Sequence, residues 1–80
     1  MRSKRPTRLP SDLRRPKVLR AFYRLGFVLD HEGSKHTVLK DPTDPTRFVS
    51  LPRHSRVKVQ LLRGILRGVG LSEDQFMAEY

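Results

Sequence analysis

The sequence predicts a small α+β domain with the order helix, three strands, helix. Two stretches carry apolar residues at helical spacing: Val18, Phe22 and Leu25 in one, and Val59, Leu62, Leu66 and Val69 in the other. Between them lie short β-prone runs separated by turn chemistry. The chain has 80 residues, enough for one domain with a small core, so a partner could add to its stability.

The first helix is expected over about 16–25 in "PKVLRAFYRLGF". Pro16 suits a first helical position, where its missing N–H costs nothing. Leu19 and Ala21 widen the apolar face, Arg20 and Arg24 lie on the solvent side, and Gly26 fits a left-handed C-cap. "FVLDH" reads as the first strand, and "EGS" as a turn in which Gly33 supplies positive φ. "KHTVLK" reads as the second strand, "DPTDPT" as a longer turn, and "RFVSL", stopped by Pro52, as the third. Two hairpins in sequence make an antiparallel meander. Alternation does not sort its faces: Phe27, Leu29, Val38, Leu39, Phe48, Val49 and Leu51 fit no single parity. Phe22, Phe27, Phe48 and the Leu–Ile stripe are expected in the core.

The last long helix lies in "VKVQLLRGILRGVGLS", with Leu61 and Ile65 beside the stripe and Gly70 as C-cap. Gly64 and Gly68 each weaken it by about 1 kcal/mol relative to alanine. They share one face, where close helix contact is conceivable. Ser72 and Gln75 form a capping box for a short final helix that Phe76 docks, with Glu73 and Asp74 favourably placed in its first turn. Two helices over one face of a three-stranded antiparallel sheet, in the order α-β-β-β-α, give the layout of the double-stranded-RNA-binding-domain class.

Charge narrows the partners. Seventeen Lys and Arg against eight Asp and Glu give a formal net charge of +9. Such a chain attracts polyanions through counterion release. RNA or DNA leads, an acidic protein follows, and an anionic membrane comes last, because no helix joins a broad apolar face to a basic one. Residues 1–15, "MRSKRPTRLPSDLRR", hold six basic residues and one acidic, a net +5, with Pro6 and Pro10. They read as a flexible basic arm ahead of a domain over 16–80. The bland alternative is a solvated tail. With no cysteine there is no disulfide framework and no thiolate metal site. No apolar run reaches the length of a membrane span, and the N-terminus lacks a secretory hydrophobic stretch, so a cytoplasmic location is expected.

The series "LGF", "EGSKH", "LPRH" and "LLRGILRGVGLS" resembles the HicA (YcfA-like) toxin family from about Pro16 to Phe76. That family carries a G-S-x-H element, a V-P-x-H or L-P-x-H element, and a long last helix ending in G-L-S. Here Gln60 and Leu61 stand where the family often has Gly-Thr, and the basic arm is longer than usual. The resemblance implies a ribonuclease toxin that cuts mRNA and is inhibited by a HicB-like antitoxin; no cofactor or metal is expected. It implies that His36 is catalytic.

The residue chemistry agrees. RNA is cut without a metal when a base takes the 2′-OH proton and an acid protonates the leaving 5′-oxygen. Histidine serves either role near neutral pH. Lys35 offers charge to the phosphate, and Gly33 lets the turn approach the nucleic acid closely. Gly33, Ser34, Lys35, Arg53, Arg56 and Lys58 form the expected RNA-binding set. The bland readings are that His36 is an ordinary surface histidine and that the cations only keep the domain soluble. His54 fits a capping role and is also the candidate second histidine. A metal site from His31, His36 and an acid has no recognised ligand spacing behind it. The "VSLPRH" segment is a candidate edge for a partner strand. A non-catalytic RNA-binding module and a basic protein-binding module remain alternatives, and monomer and dimer are both open.

Overall fold

A computed structural model of the chain describes residues 9–80. Its elements are β1 (Leu13–Arg14), α1 (Arg15–Arg24), β2 (Val28–Glu32), β3 (His36–Asp41), β4 (Asp44–Pro52), β5 (Arg56–Val57), α2 (Val59–Val69) and α3 (Glu73–Glu79). Strands β2, β3 and β4 form an antiparallel sheet in that order, with β2 and β4 at its edges. This is the α+β layout read from the sequence, with helices against one face.

The helix ends follow the sequence signals. Pro16 lies in the first turn of α1. Gly26 and Gly70 follow α1 and α2 with φ of +102° and +75°, the left-handed region that closes a helix cheaply with glycine. The Ser72–Gln75 capping box is complete: the Gln75 N–H donates to Ser72 Oγ at 3.0 Å, and the Ser72 N–H donates to Gln75 Oε1 at 2.8 Å.

The "DPTDPT" stretch is not one long turn. The hairpin closes over Pro42 and Thr43, and β4 begins at Asp44. Each Asp-Pro-Thr makes the same local turn. The Thr43 N–H and hydroxyl donate to Asp41 Oδ1 at 2.8 and 2.7 Å, and those of Thr46 donate to Asp44 Oδ1 at 3.0 and 2.7 Å. Pro45 is tolerated because β4 is an edge strand and its register with β3 slips there.

Register decides the faces. His36 pairs with Pro52, Val38 with Ser50 and Lys40 with Phe48 on one side. Thr37 pairs with Leu51, and Leu39 with Val49, on the other. The second set is buried under the helices. Phe22 joins them to the helical layer, with its ring 5.7 Å from Phe27 and 5.3 Å from Phe76. Phe48 departs from expectation: it is 60% exposed, because opposite Lys40 it points away from the helices. Gly64 and Gly68 sit in open space, so they serve no close helix contact.

The expected basic arm lies outside the described residues over 1–8. Over 9–15 it is packed rather than free. Leu9 and Leu13 are buried, and β1 pairs with β5 through Leu13–Val57 and Arg14–Arg56. Burying two leucines supplies the apolar contact that the charge of this stretch had obscured. Among the described residues no helix is long and apolar enough to cross a membrane.

Candidate nucleic-acid site

The turn between β2 and β3 presents the "GSKH" element. The Gly33 N–H donates to the His36 carbonyl at 2.7 Å and closes it. Gly33 does not have positive φ, contrary to the sequence expectation. What favours glycine is proximity: a Cβ there would stand 3.3 Å from the His36 carbonyl oxygen, a tight contact. The chain after β4 folds back against this turn, where the Arg53 N–H donates to the Lys35 carbonyl at 3.1 Å.

These contacts bring two sequence-distant segments together. Ser34, Lys35, His36, Pro52, Arg53 and His54 line one open concavity of about 360 Å³. Both candidate histidines thus share it with a lysine and an arginine. His36 and His54 are exposed, and neither they nor Lys35 has an ion-pair partner among the described residues. Arg56 and Lys58 line an adjoining hollow of about 700 Å³ that shares the Pro52–His54 wall. There Arg56 approaches Asp12 at 3.5 Å. His31 is not in the His36 concavity: it pairs with Val38 in the sheet and bonds Asp30 at 2.7 Å through Nδ1. Among the described residues no group of three His, Asp or Glu stands close enough to hold a metal ion.

Beneath the concavity runs a polar network that the sequence did not reveal. Arg15, at the start of α1, donates through Nε to the Pro52 carbonyl at 3.1 Å and through Nη2 to the Thr37 hydroxyl. Fully buried Thr37 donates to Glu32 Oε1 at 2.8 Å. Arg53 also pairs with Glu32 and reaches the Gly33 carbonyl at 3.3 Å. The network therefore grips both neighbours of His36: Thr37 next in β3, and Pro52 opposite in β4. The Thr37 hydroxyl bond, followed by the Arg53 and Arg15 charges, outweighs desolvation and holds the Glu32 carboxyl below its ordinary range. Nothing in the sequence singled out Thr37, which stands between His36 and Val38. The partners themselves come from residues 15, 32 and 53, which no local pattern links.

A small basic α+β domain with two histidines and cations converging beside an open sheet belongs to the double-stranded-RNA-binding-like class. Within that class, residues 15–71 match the family described as the HicA toxin of bacterial toxin–antitoxin. The match spans well over half the chain, and the protein belongs to the HicA toxin family. It is a toxin of the toxin–antitoxin type. No curated protein matches it.

Proposed function

We propose that this toxin is a metal-independent endoribonuclease that cuts mRNA at His36. The observation that carries the reading is the meeting of His36, His54, Lys35 and Arg53 in one open concavity. One imidazole takes the proton from a ribose 2′-OH as its oxygen forms a bond to the adjacent phosphorus. The P–O5′ bond breaks, and an imidazolium returns a proton to the departing 5′-oxygen. The products are a 2′,3′-cyclic phosphate and a 5′-hydroxyl. His36 is the principal group and His54 the second.

Lys35 faces the phosphate, where developing negative charge makes a nearby ammonium most effective. Arg53 is held by Glu32 and shapes the turn as well as contributing charge. Arg56 and Lys58 extend the phosphate-binding surface, while Gly33 and Ser34 bring the backbone close to the strand. Arg15 acts through Thr37 and Pro52 as a positioning residue. A HicB-like antitoxin inhibits by covering this concavity, and the toxin acts in the cytoplasm, where its mRNA substrate lies.

The test is cleavage of a long unstructured RNA with excess EDTA, comparing wild type, His36→Ala and His54→Ala. The expected result is cutting by the wild type, a loss of about 10²–10⁴-fold in His36→Ala, and a smaller loss in His54→Ala. All three proteins should give the same circular dichroism. Equal cutting by wild type and His36→Ala would remove His36 from the chemistry. Tight, steeply salt-dependent RNA binding with no cutting would leave a binding module.

A further inference from the structure

We propose that the open face of the sheet is a stacking platform for an unpaired RNA base, with Phe48 as its floor. The proposal rests on the RNA-cutting reading above and adds a substrate subsite to it. Phe48 is 60% exposed and does not stand alone. With Asp30, His31, Val38, Lys40 and Pro45 it lines an open hollow of about 470 Å³. A scattered surface hydrophobe needs no explanation, but a phenyl ring set among Val38 and Pro45 on an uncovered sheet face forms an apolar patch.

The register ties this patch to the reaction site. His36, Val38 and Lys40 point to the same face of β3, opposite Pro52, Ser50 and Phe48 of β4. Lys40 lies four steps along the strand from His36, about 13 Å at the usual rise. A short extended run of nucleotides covers that distance. An RNA strand held at His36 and running along β3 therefore arrives over Phe48.

Charge and chemistry select the occupant. The chain carries a net +9, and the hollow is flanked by Lys40 and His31, both bonded to Asp30, so its one carboxylate is largely compensated. The net positive charge of the chain draws a polyanion to it, and the compensated carboxylate does not repel one here. Attack of a 2′-OH on its own 3′-phosphate also requires an in-line geometry that stacked A-form RNA does not offer. The nucleotides around the cut are thus unstacked, and their bases are free to meet an aromatic side chain. Stacking of this kind tolerates any base, because every base has a π-face.

The test uses the full chain, which contains no tryptophan. Phe48→Trp in the His36→Ala background places a single indole on the platform without cutting the probe. Titration with an unstructured single-stranded RNA oligonucleotide should quench its fluorescence to saturation. The same oligonucleotide with abasic sites should quench weakly. In the His36→Ala background, Phe48→Ala should raise Kd for the intact oligonucleotide about tenfold, while Phe48→Tyr should keep it. In the active protein, Phe48→Ala should lower kcat/KM on that RNA by a similar factor. Circular dichroism checks that each variant is folded. Quenching without any cutting by the wild type would sink the catalytic reading and leave the platform standing. Cutting that depends on His36 but ignores Phe48 in both binding and rate would overturn the platform alone. Unchanged RNA affinity in Phe48→Ala, with loss of binding to a HicB-like antitoxin, would assign the face to a protein and overturn the proposal.

Discussion

The two faces of the three-stranded sheet are built from the same strands and do opposite things. On one face Leu39, Val49 and Leu51 are buried against the helices and stabilise the domain. On the other, His36, Lys40 and Phe48 stand in solvent. Adjacent residues such as His36 and Thr37 thus answer to different demands. The difference teaches that the proposed chemistry would sit where it costs little stability, one residue away from side chains that cannot be spared.

The sharpest way to break this comparison is a pair of substitutions on β3. Leu39→Ala removes a fully buried side chain and should cost about 2–5 kcal/mol, a large share of a small domain's stability. His36→Ala removes an exposed side chain with no bond to the core, and should leave the denaturant midpoint almost unchanged while lowering cutting about 10²–10⁴-fold. Urea unfolding of both variants measures this. A comparable loss of stability in His36→Ala would show that the two faces are not independent.

Among the described residues Thr37 is the one buried polar side chain, and it joins the faces. Thr37→Val keeps the shape but strands one hydrogen from Arg15 and one acceptor site on Glu32. A loss of about 1–3 kcal/mol is expected. Cutting should fall too, because Arg15 holds β3 and β4 on either side of His36. If this positioning role is right, kcat falls with KM little changed. Loss of stability with normal kcat would leave Thr37 purely structural.

Glu32 sharpens the same point through pH. Its folded carboxyl titrates below the ordinary value of 4.5. The contribution is therefore fully present above pH 4.5 and is lost as pH falls through the lowered folded value. Asp30, Asp41 and Asp44 are lowered as well, each mainly by a side-chain hydrogen bond: from His31, Thr43 and Thr46. Thermal melts should thus show falling Tm on acidification. Glu32→Gln should start lower at neutral pH and fall less steeply below pH 4.5 than the wild type. Parallel curves for the two proteins would remove Glu32 from the network.

Much of this architecture was legible because its signals are local. The glycine C-caps, the capping box, the positions of the hairpin turns (though not their conformations) and the helical stripes each depend on residues a few positions apart. The sheet faces were not legible, for a specific reason. Asp30 is an extra residue in β2: Leu29 pairs with Leu39, but His31 pairs with Val38. Such a bulge reverses the parity of everything beyond it. Phe48 was read as core because Phe48 and Val49 are adjacent apolar residues in β4, and alternation alone does not say which of the two faces the helices. The β1–β5 pair escaped because two-residue strands carry no period, and 43 positions separate the Leu13–Val57 partners. At the site, His36 and the "GSKH" turn were visible as a motif. The shared concavity with His54 depends on the chain after β4 returning to the turn, a long-range event. Arg15 was counted as part of a basic arm, since its charge is visible in the sequence and its bond to Thr37 is not.

The smallest effect concerns the other helix-facing layer. Gly64 and Gly68 lie within α2 with nothing near the position of a Cβ. Neither has positive φ, so alanine fits both sites without strain. Each Gly→Ala change should then stabilise by about 0.5–1 kcal/mol, through helix propensity and a less flexible unfolded chain. That corresponds to a Tm rise of roughly 2–8 °C for a domain of this size. Cutting of RNA should be unaltered, because both positions lie on the helical side, away from His36. A double variant that gains stability but loses cutting would mean that this exposed stripe of α2 contacts substrate, and the assignment of function to the sheet side alone would have to be given up.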